Sequence, residues 1–179
     1  MDRLIRKLDI ISWANPYQAK RDLYQYLMDY ENNEDDWRGF YHLNENEGYS
    51  RNEIRTKPGQ YNVALMCWRP NQGNKIHDHC ESFGLFKVLR GCLEEEHHIC
   101  REDGDAVVHH ADILIEENHV NSLESFTGFH RLKNHSDDDV AVSLHVYAPP
   151  LEKCTFIDEE GKRCVVSMRF ATKSVQEQE

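Results

Sequence analysis

Three histidines have the residue type and the spacing that suit a metal site. His77 and His79 flank Asp78, and His130 follows 51 residues after His79. On an extended strand, side chains two residues apart leave on the same side, so we expect His77 and His79 to converge while Asp78 points away. His130 lies in a candidate neighbouring strand. We interpret the trio as the ligands of a mononuclear non-haem iron, one Fe(II) per chain, although imidazoles alone leave zinc or nickel open.

The residues around the trio resemble the two sequence motifs of cupin barrels. The first motif has the form G-x5-H-x-H-x3-4-E-x6-G, and the second ends in H-x3-N. The matching residues are His77, His79, Gly91, His130 and Asn134. Gly84 stands where the glutamate of the first motif is expected. The pattern therefore predicts a cupin-like metal site that lacks the usual carboxylate ligand.

The loss of that glutamate has a chemical consequence for the predicted site. Three neutral imidazoles leave the charge of a divalent metal uncompensated, whereas a two-histidine, one-carboxylate triad would cancel part of it. Such a site should bind an anion, and a thiolate is a soft anion whose pKa falls on coordination. Three positions of an octahedron stay open, which is enough for a sulfur, an amine and dioxygen.

Composition limits the class of protein. A chain of 179 residues fits one domain, which we take to span residues 1–179. Its 21 Lys and Arg against 32 Asp and Glu give a formal net charge of −11, which argues against nucleic acid or an anionic membrane as partner. The longest apolar run is far shorter than the ~20 residues that span a bilayer, and the N-terminal residues lack a signal-peptide pattern. Six scattered cysteines without a C-x-x-C motif predict free thiols. We expect a cytoplasmic protein.

The chain divides into a helical first part, a β-rich part and a polar tail. Leu23, Tyr26, Leu27 and Tyr30 recur at helical spacing after Asn15-Pro16, which suits a helix start, so residues 1–47 are predicted to be mostly helical. Residues 48–171 contain short β-prone runs separated by turn residues, and residues 172–179 form the tail. The predicted strands are Tyr61–Trp68, Ile76–His79, Phe83–Leu89, Ala106–His109, Ile113–Glu116, Phe129–Leu132, Val140–Tyr147 and Val165–Phe170. The fold prediction is a mainly β, single-domain cupin barrel (double-stranded β-helix or jelly roll) with an N-terminal helical segment.

From about Tyr49 to Phe170 the chain resembles the thiol dioxygenases of the cupin superfamily, and cysteine dioxygenases most of all. The matching stretches are Tyr49-Ser50-Arg51-Asn52, Met66-Cys67-Trp68, Ile76-His77-Asp78-His79, Gly128-Phe129-His130-Arg131 and Ser143 through Pro150. The resemblance implies addition of both atoms of dioxygen to the sulfur of L-cysteine, giving cysteine sulfinic acid. It also implies Fe(II), a monomer, and a place in cysteine catabolism and taurine biosynthesis.

The resemblance also implies roles for four further residues. Arg51 matches the arginine that binds the substrate carboxylate, a task that suits the planar fork of a guanidinium. Ser143, His145 and Tyr147 lie at period two on one predicted strand, so their side chains share a face and can form a hydrogen-bonded relay. Tyr147 would act at its end as a hydrogen-bond donor or general acid.

Three smaller expectations come from the same resemblance. Gly84 occupies the position of a cysteine that animal enzymes join covalently to the tyrosine, so we expect no thioether on Tyr147. Ala148-Pro149 matches a cis peptide bond of relatives. Cys154 matches a cysteine near the site entrance.

Other functions stay open on the sequence. A 3-mercaptopropionate dioxygenase shares iron and barrel, but that group commonly carries glutamine at the position of Arg51. A non-catalytic metal-binding sensor would not need the Ser143, His145 and Tyr147 row. An isomerase or hydrolase that uses the metal as a Lewis acid would be expected to have a carboxylate base in the cavity, and the sequence suggests none.

Overall fold

The computed structural model describes residues 1–100, 107–123 and 128–172, and in these ranges the helices precede the strands. The helices are α1 (Asp2–Asp9), α2 (Pro16–Met28) and α3 (Glu34–Trp37), followed by a 3-10 turn at Arg38–Phe40. Helix α2 begins as predicted, because the side chain of Asn15 accepts a hydrogen bond from the backbone N–H of Gln18 (3.2 Å) and Pro16 occupies the first turn. In the part of the chain that is described, no helix has both the length and the apolar character needed to cross a membrane.

Ten strands follow the helices. They are β1 (Tyr49–Lys57), β2 (Tyr61–Trp68), β3 (Phe83–Arg90), β4 (Cys92–Cys100), β5 (Val107–Glu116), β6 (Val120–Ser122), β7 (Gly128–Asn134), β8 (Ala141–Ala148), β9 (Lys153–Ile157) and β10 (Arg163–Ser167). One antiparallel sheet has the order β1-β2-β8-β3-β6, a second has β5-β4-β7, and β9 pairs with β10. Among the described residues the sheets do not close into one hydrogen-bonded barrel. The mainly β fold with a helical N-terminal part is confirmed.

The prediction of a strand at Ile76–His79 is only partly right. The segment is extended, but His77 alone forms bridges, one to His130 on β7 and one to Phe156 on β9. The backbones of His77 and His130 exchange two hydrogen bonds of 2.9 Å. The segment ends at Cys80, whose φ of 49° turns the chain out of the extended conformation. It therefore joins β7 to β9 without forming a ladder of its own.

Other strands also differ from the prediction. The predicted strands did not include β1, β4, β6 and β9, and β10 spans Arg163–Ser167 where Val165–Phe170 was predicted. The predicted strands at 106–109 and 113–116 belong to the single strand β5, and Ala106 itself lies outside the described residues. The predicted polar tail also lies outside them, except for Thr172. All six cysteines are free, as expected, and Cys67 is buried.

Strand β8 lies in the middle of the larger sheet and separates the apolar core from the site. All its residues are buried, and side chains alternate between the two faces. Leu144 and Val146 pack in the cluster that includes the buried leucines of α1 and α2. Ser143, His145 and Tyr147 therefore point toward the opposite face, where the larger sheet packs against β4, β5 and β7.

Candidate metal centre

The three predicted ligands meet at one point between the sheets. One side-chain atom of each of His77, His79 and His130 lies within 4.8 Å of the others. Nε2 of His79 and Nε2 of His130 are 3.3 Å apart. His77 and His79 reach this point from one extended segment, and His130 reaches it from β7, to which that segment is bridged. The predicted convergence of the two-residue pair with a distant third histidine is found in the structure.

The protonation state of the trio suits metal binding. Burial lowers the pKa of His77, and it lowers the pKa of His79 and His130 well below the usual value, where neighbouring imidazoles add to the effect. The rings are therefore neutral at neutral pH, and a neutral imidazole is the form that binds a metal. Nδ1 of His77 lies 2.9 Å from the carbonyl oxygen of Lys75, which leaves its Nε2 free. The donor set fits a divalent first-row metal.

A cavity of about 380 Å³ opens beside the trio. This volume is in the range of small-molecule sites, at its lower end. Six of the seven predicted site residues line it: Arg51, His77, His79, His130, His145 and Tyr147. Ser143 lies behind His145, to which it is hydrogen-bonded. The structure thus brings all seven predicted residues together.

Arg51 supplies a buried positive charge at this cavity. Its side chain comes from β1, the residue is 4% exposed, and the guanidinium lies over the rings of Phe170 (4.2 Å to the centroid) and Tyr147 (5.6 Å). Among the described residues Arg51 forms no ion pair, its Nε has no hydrogen-bond partner, and Nη2 makes one long contact of 3.4 Å to the carbonyl of Leu151. Burial lowers the pKa of this guanidinium, which means that the charge is desolvated. An unpaired buried cation favours an anionic ligand.

The predicted relay on β8 is connected by hydrogen bonds. Nε1 of Trp68 donates to Oγ of Ser143 (2.9 Å), Oγ of Ser143 lies 2.7 Å from Nε2 of His145, and Nδ1 of His145 lies 3.1 Å from Oη of Tyr147. An indole N–H can only donate, so the serine hydroxyl is free to donate to His145. Nδ1–H of His145 then donates to the tyrosine oxygen, and the O–H of Tyr147 is left for the cavity.

The relay residues are neutral. Burial lowers the pKa of His145 well below its usual value, and the nearby charge of Arg51 adds to the effect. Burial also raises the pKa of Tyr147 above its ordinary value. Tyr147 is therefore a protonated donor at neutral pH.

Sequence reasoning missed Glu95, a buried carboxylate that contacts one histidine of the trio from outside the cavity lining. Glu95 lies on β4 and is 1% exposed, with Oε1 at 2.7 Å from Nδ1 of His130 and Oε2 at 2.6 Å from Nδ2 of Asn121. Burial raises its pKa to about 7, although His97 and Asn121 act in the opposite direction. The run Glu94-Glu95-Glu96 resembles a solvated strand face. Strand alternation was the available signal, because Leu93 and Glu95 share the buried face.

Gly84, the Ala148–Pro149 bond and Cys154 lie around Tyr147 and the cavity wall. Gly84 lies opposite Tyr147 on β3, so no sulfur is present there to form a thioether. The Ala148–Pro149 bond is cis, as the resemblance implied. Cys154 lines the cavity wall beside Met168, with Sγ 3.3 Å from Sδ.

Comparison with known sequences gives consistent matches. The family model described as "Cysteine dioxygenase type I" matches residues 7–160. The chain is 33% identical over 153 residues to cysteine dioxygenase type 1 of Danio rerio. The aligned region covers 83% of this chain and 76% of that relative. It is 31% identical over 146 residues to cysteine dioxygenase type 1 of Homo sapiens, with coverage of 80% and 72%.

Solved structures agree on the fold. The crystal structure of a protein from Thermus thermophilus superposes with a TM-score of 0.51 at 17% identity, covering 64% of this chain and 95% of that one. A Klebsiella pneumoniae protein with a double-stranded β-helix domain gives a TM-score of 0.50 at 13% identity, covering 73% and 86%. At these identities the likeness concerns the fold alone, and it confirms the predicted cupin class.

Proposed function

This chain belongs to the cysteine dioxygenase type I family, and we propose on that basis that it adds both atoms of dioxygen to the sulfur of L-cysteine. The thiol and one dioxygen molecule together give cysteine sulfinic acid, so the reaction balances without another reactant. One observation carries the proposal: the buried, unpaired guanidinium of Arg51 lines the same cavity as three convergent neutral histidines. That cavity offers one site for an anion and one for a metal, as a small thiol amino acid requires.

We assign Fe(II) to the three histidines. His77, His79 and His130 would hold it through their ring nitrogens, leaving positions for the substrate. When bound, ferrous iron would lower the pKa of the substrate thiol and supply the electrons that activate dioxygen. The three rings need no deprotonation before they bind the metal, because burial already keeps them neutral.

Arg51 binds the substrate carboxylate in this proposal. The guanidinium can donate two parallel N–H bonds to a carboxylate, and its position over Phe170 and Tyr147 fixes its orientation. The ion pair between the guanidinium and the carboxylate is strong because both charges are shielded from water. Arg51 thereby orients the cysteine so that its sulfur and amine face the histidines.

Tyr147 completes the site as a hydrogen-bond donor. Its oxygen accepts from His145, so its proton is directed to the cavity, where it stabilises negative charge that develops on a reacting oxygen or sulfur. Met66, Leu132 and Leu151 form apolar walls that limit the access of water.

We propose one domain spanning residues 1–179 that works as a cytoplasmic monomer, and the net charge of −11 supports the absence of nucleic acid and of anionic membranes as partners.

The test is oxygen consumption by the iron-loaded protein with L-cysteine, 3-mercaptopropionate or cysteamine, with the product identified by mass spectrometry. We expect rapid uptake with cysteine and a sulfinate that carries two labelled atoms when heavy-isotope dioxygen is used. Preference for 3-mercaptopropionate would reassign the substrate. If none of the three thiols led to oxygen consumption, the proposed enzymatic activity would be contradicted and a metal-binding sensor would be favoured.

Ligand variants extend this test. His130→Gln should abolish both iron retention and oxygen uptake. His110→Gln is the matched control, since that histidine is exposed on β5 and lies outside the trio.

A further inference from the structure

Glu95 occupies a position from which it can control the metal site without touching the cavity. Its strand, β4, pairs with β7 so that His97 faces His130 and Glu95 faces Leu132. The carboxylate lies behind the ring of His130, on the side away from the other two histidines. We propose that Glu95 is a positioning residue that holds His130 with its proton on Nδ1 and supplies the negative charge that the histidine trio lacks. This inference rests on the metal-binding role proposed above.

The contacts of Glu95 are those of a carboxylate that accepts at both oxygens, and they favour its ionised form against the neutral form that burial favours. Nδ1 of His130 is 2.7 Å from Oε1, and Nδ2 of Asn121 is 2.6 Å from Oε2. Nε2 of His97 lies 3.5 Å from Oε2. Asn121 belongs to β6 in the larger sheet, so these bonds connect both sheets at the site. Burying a carboxylate to this degree costs free energy unless the group is paired and hydrogen-bonded. The contacts to His130 and Asn121 offset that cost.

The bond to Glu95 fixes which nitrogen of His130 faces the trio. A carboxylate accepts hydrogen bonds, so Nδ1 of His130 carries the proton and Nε2 presents its lone pair toward His79. His77 is held in the same way by the carbonyl of Lys75, which is neutral. His130 therefore differs from His77 in having an anion behind it, and such a partner raises the basicity of a ligating imidazole.

The negative charge of Glu95 also compensates for the glutamate ligand that cupins carry at the position of Gly84. A carboxylate ligand would cancel part of the metal charge but would fill a coordination position. Glu95 cancels charge through His130 and leaves that position open for a substrate.

The test compares Glu95→Gln with Glu96→Gln in binding of Co²⁺, measured by competition with a chromophoric chelator on metal-free protein. Glu96 is a matched control because it is the next residue on β4, and its Oε atoms lie at 3.5 Å from His98 and 3.7 Å from Arg131. Both variants remove one carboxylate from the same strand. We expect the Kd of Glu95→Gln to rise about 10- to 100-fold, the usual effect of losing such a partner, and that of Glu96→Gln to stay within about 3-fold.

The outcomes separate this inference from the proposed enzyme. If the wild type binds Co²⁺ and Glu95→Gln binds it equally well, or if both variants weaken binding alike, the role of Glu95 is overturned while the dioxygenase proposal stands. If the wild type binds no Co²⁺, the metal site fails and Glu95 fails with it. Loss of cysteine oxidation alone would leave the role of Glu95 intact.

A measurement on the wild type covers the case in which Glu95→Gln does not fold. Nitrogen NMR of the metal-free protein reports the tautomer of each histidine, and the His130 signals are identified by their loss in His130→Gln. We expect the Nδ1–H tautomer for His130. The Nε2–H tautomer would overturn the proposal, because the lone pair would then face Glu95.

Discussion

Gly84 faces Tyr147 across the β3–β8 ladder, and a Cβ atom added at Gly84 would lie 2.8 Å from Cδ1 of Tyr147. It would also lie 3.0 Å from Cδ1 of Leu123. The phenol ring therefore packs directly against the backbone of β3. This contact helps to position the phenol ring at the cavity.

We expect Gly84→Ala to damage both stability and activity. The added methyl group would force the ring of Tyr147 or the side chain of Leu123 to move, and overpacking of this kind costs typically about 1–3 kcal/mol of unfolding free energy. Displacement of the ring would also weaken the bond between Tyr147 and His145, so cysteine turnover should fall. Urea unfolding and oxygen uptake measure the two effects. Gly39→Ala is the control, because a Cβ there would meet no atom within 4 Å. Equal stability and turnover in both variants would contradict this view of the contact.

Local spacing accounts for the predicted site residues that the structure brings together. His77 and His79 converge because they are two residues apart on extended backbone, and Ser143, His145 and Tyr147 form a row for the same reason. Alternation depends only on neighbouring residues, so it can be seen without knowing how strands pair.

Glu95 could not be predicted in this way. Its role depends on the pairing of β4 with β7 and on the position of Asn121 in the other sheet, which no local pattern in the sequence encodes. The same limit explains the segment at Ile76–His79, which looks like a strand but lies between β7 and β9 with bridges at His77 only. The sequence patterns therefore indicated the three converging histidines and missed the carboxylate that contacts one of them.

Arg51→Gln should reduce the kcat/KM for L-cysteine by about 10- to 150-fold, because a hydrogen bond to a charged group contributes about 1.5–3 kcal/mol. Turnover of cysteamine, which has no carboxylate, should change much less. Steady-state oxygen uptake with both substrates measures the difference. Arg21→Gln removes one positive charge at an exposed position on α2 that is not part of the cavity lining, and it should change neither value. Equal losses with cysteine and cysteamine would show that Arg51 acts on the fold or the metal and does not bind the carboxylate.

His145 should make the stability of the metal-free protein depend on pH. Its folded-state pKa lies well below the ordinary 6.5, so below pH 6.5 the unfolded chain binds one more proton than the folded chain at this residue. The stabilising effect is present above pH 6.5 and is lost as the pH falls toward the folded-state pKa.

The His145→Gln variant isolates this effect. We expect its unfolding free energy to fall less steeply with decreasing pH than that of the wild type, by up to about 1.4 kcal/mol per pH unit. Urea unfolding at pH values above and below 6.5 gives the slopes. His110→Gln removes an exposed imidazole and serves as the control. Parallel slopes for His145→Gln and the wild type would mean that His145 is not held neutral by burial.

Tyr147→Phe should lower the kcat/KM for cysteine by about 100-fold or more, because it removes the only donor that the relay directs into the cavity. Burial raises the pKa of Tyr147, so the hydroxyl stays protonated, and we expect no loss of wild-type activity from its ionisation as the pH rises toward 10. Ser143→Ala should have a smaller effect, since Ser143 acts only through the orientation of His145. Tyr17→Phe, at a position that is 81% exposed, is the matched control. Full activity in Tyr147→Phe, with iron content unchanged, would show that the hydroxyl of Tyr147 takes no part in the reaction. The ring would then serve only to pack against Gly84 and Arg51.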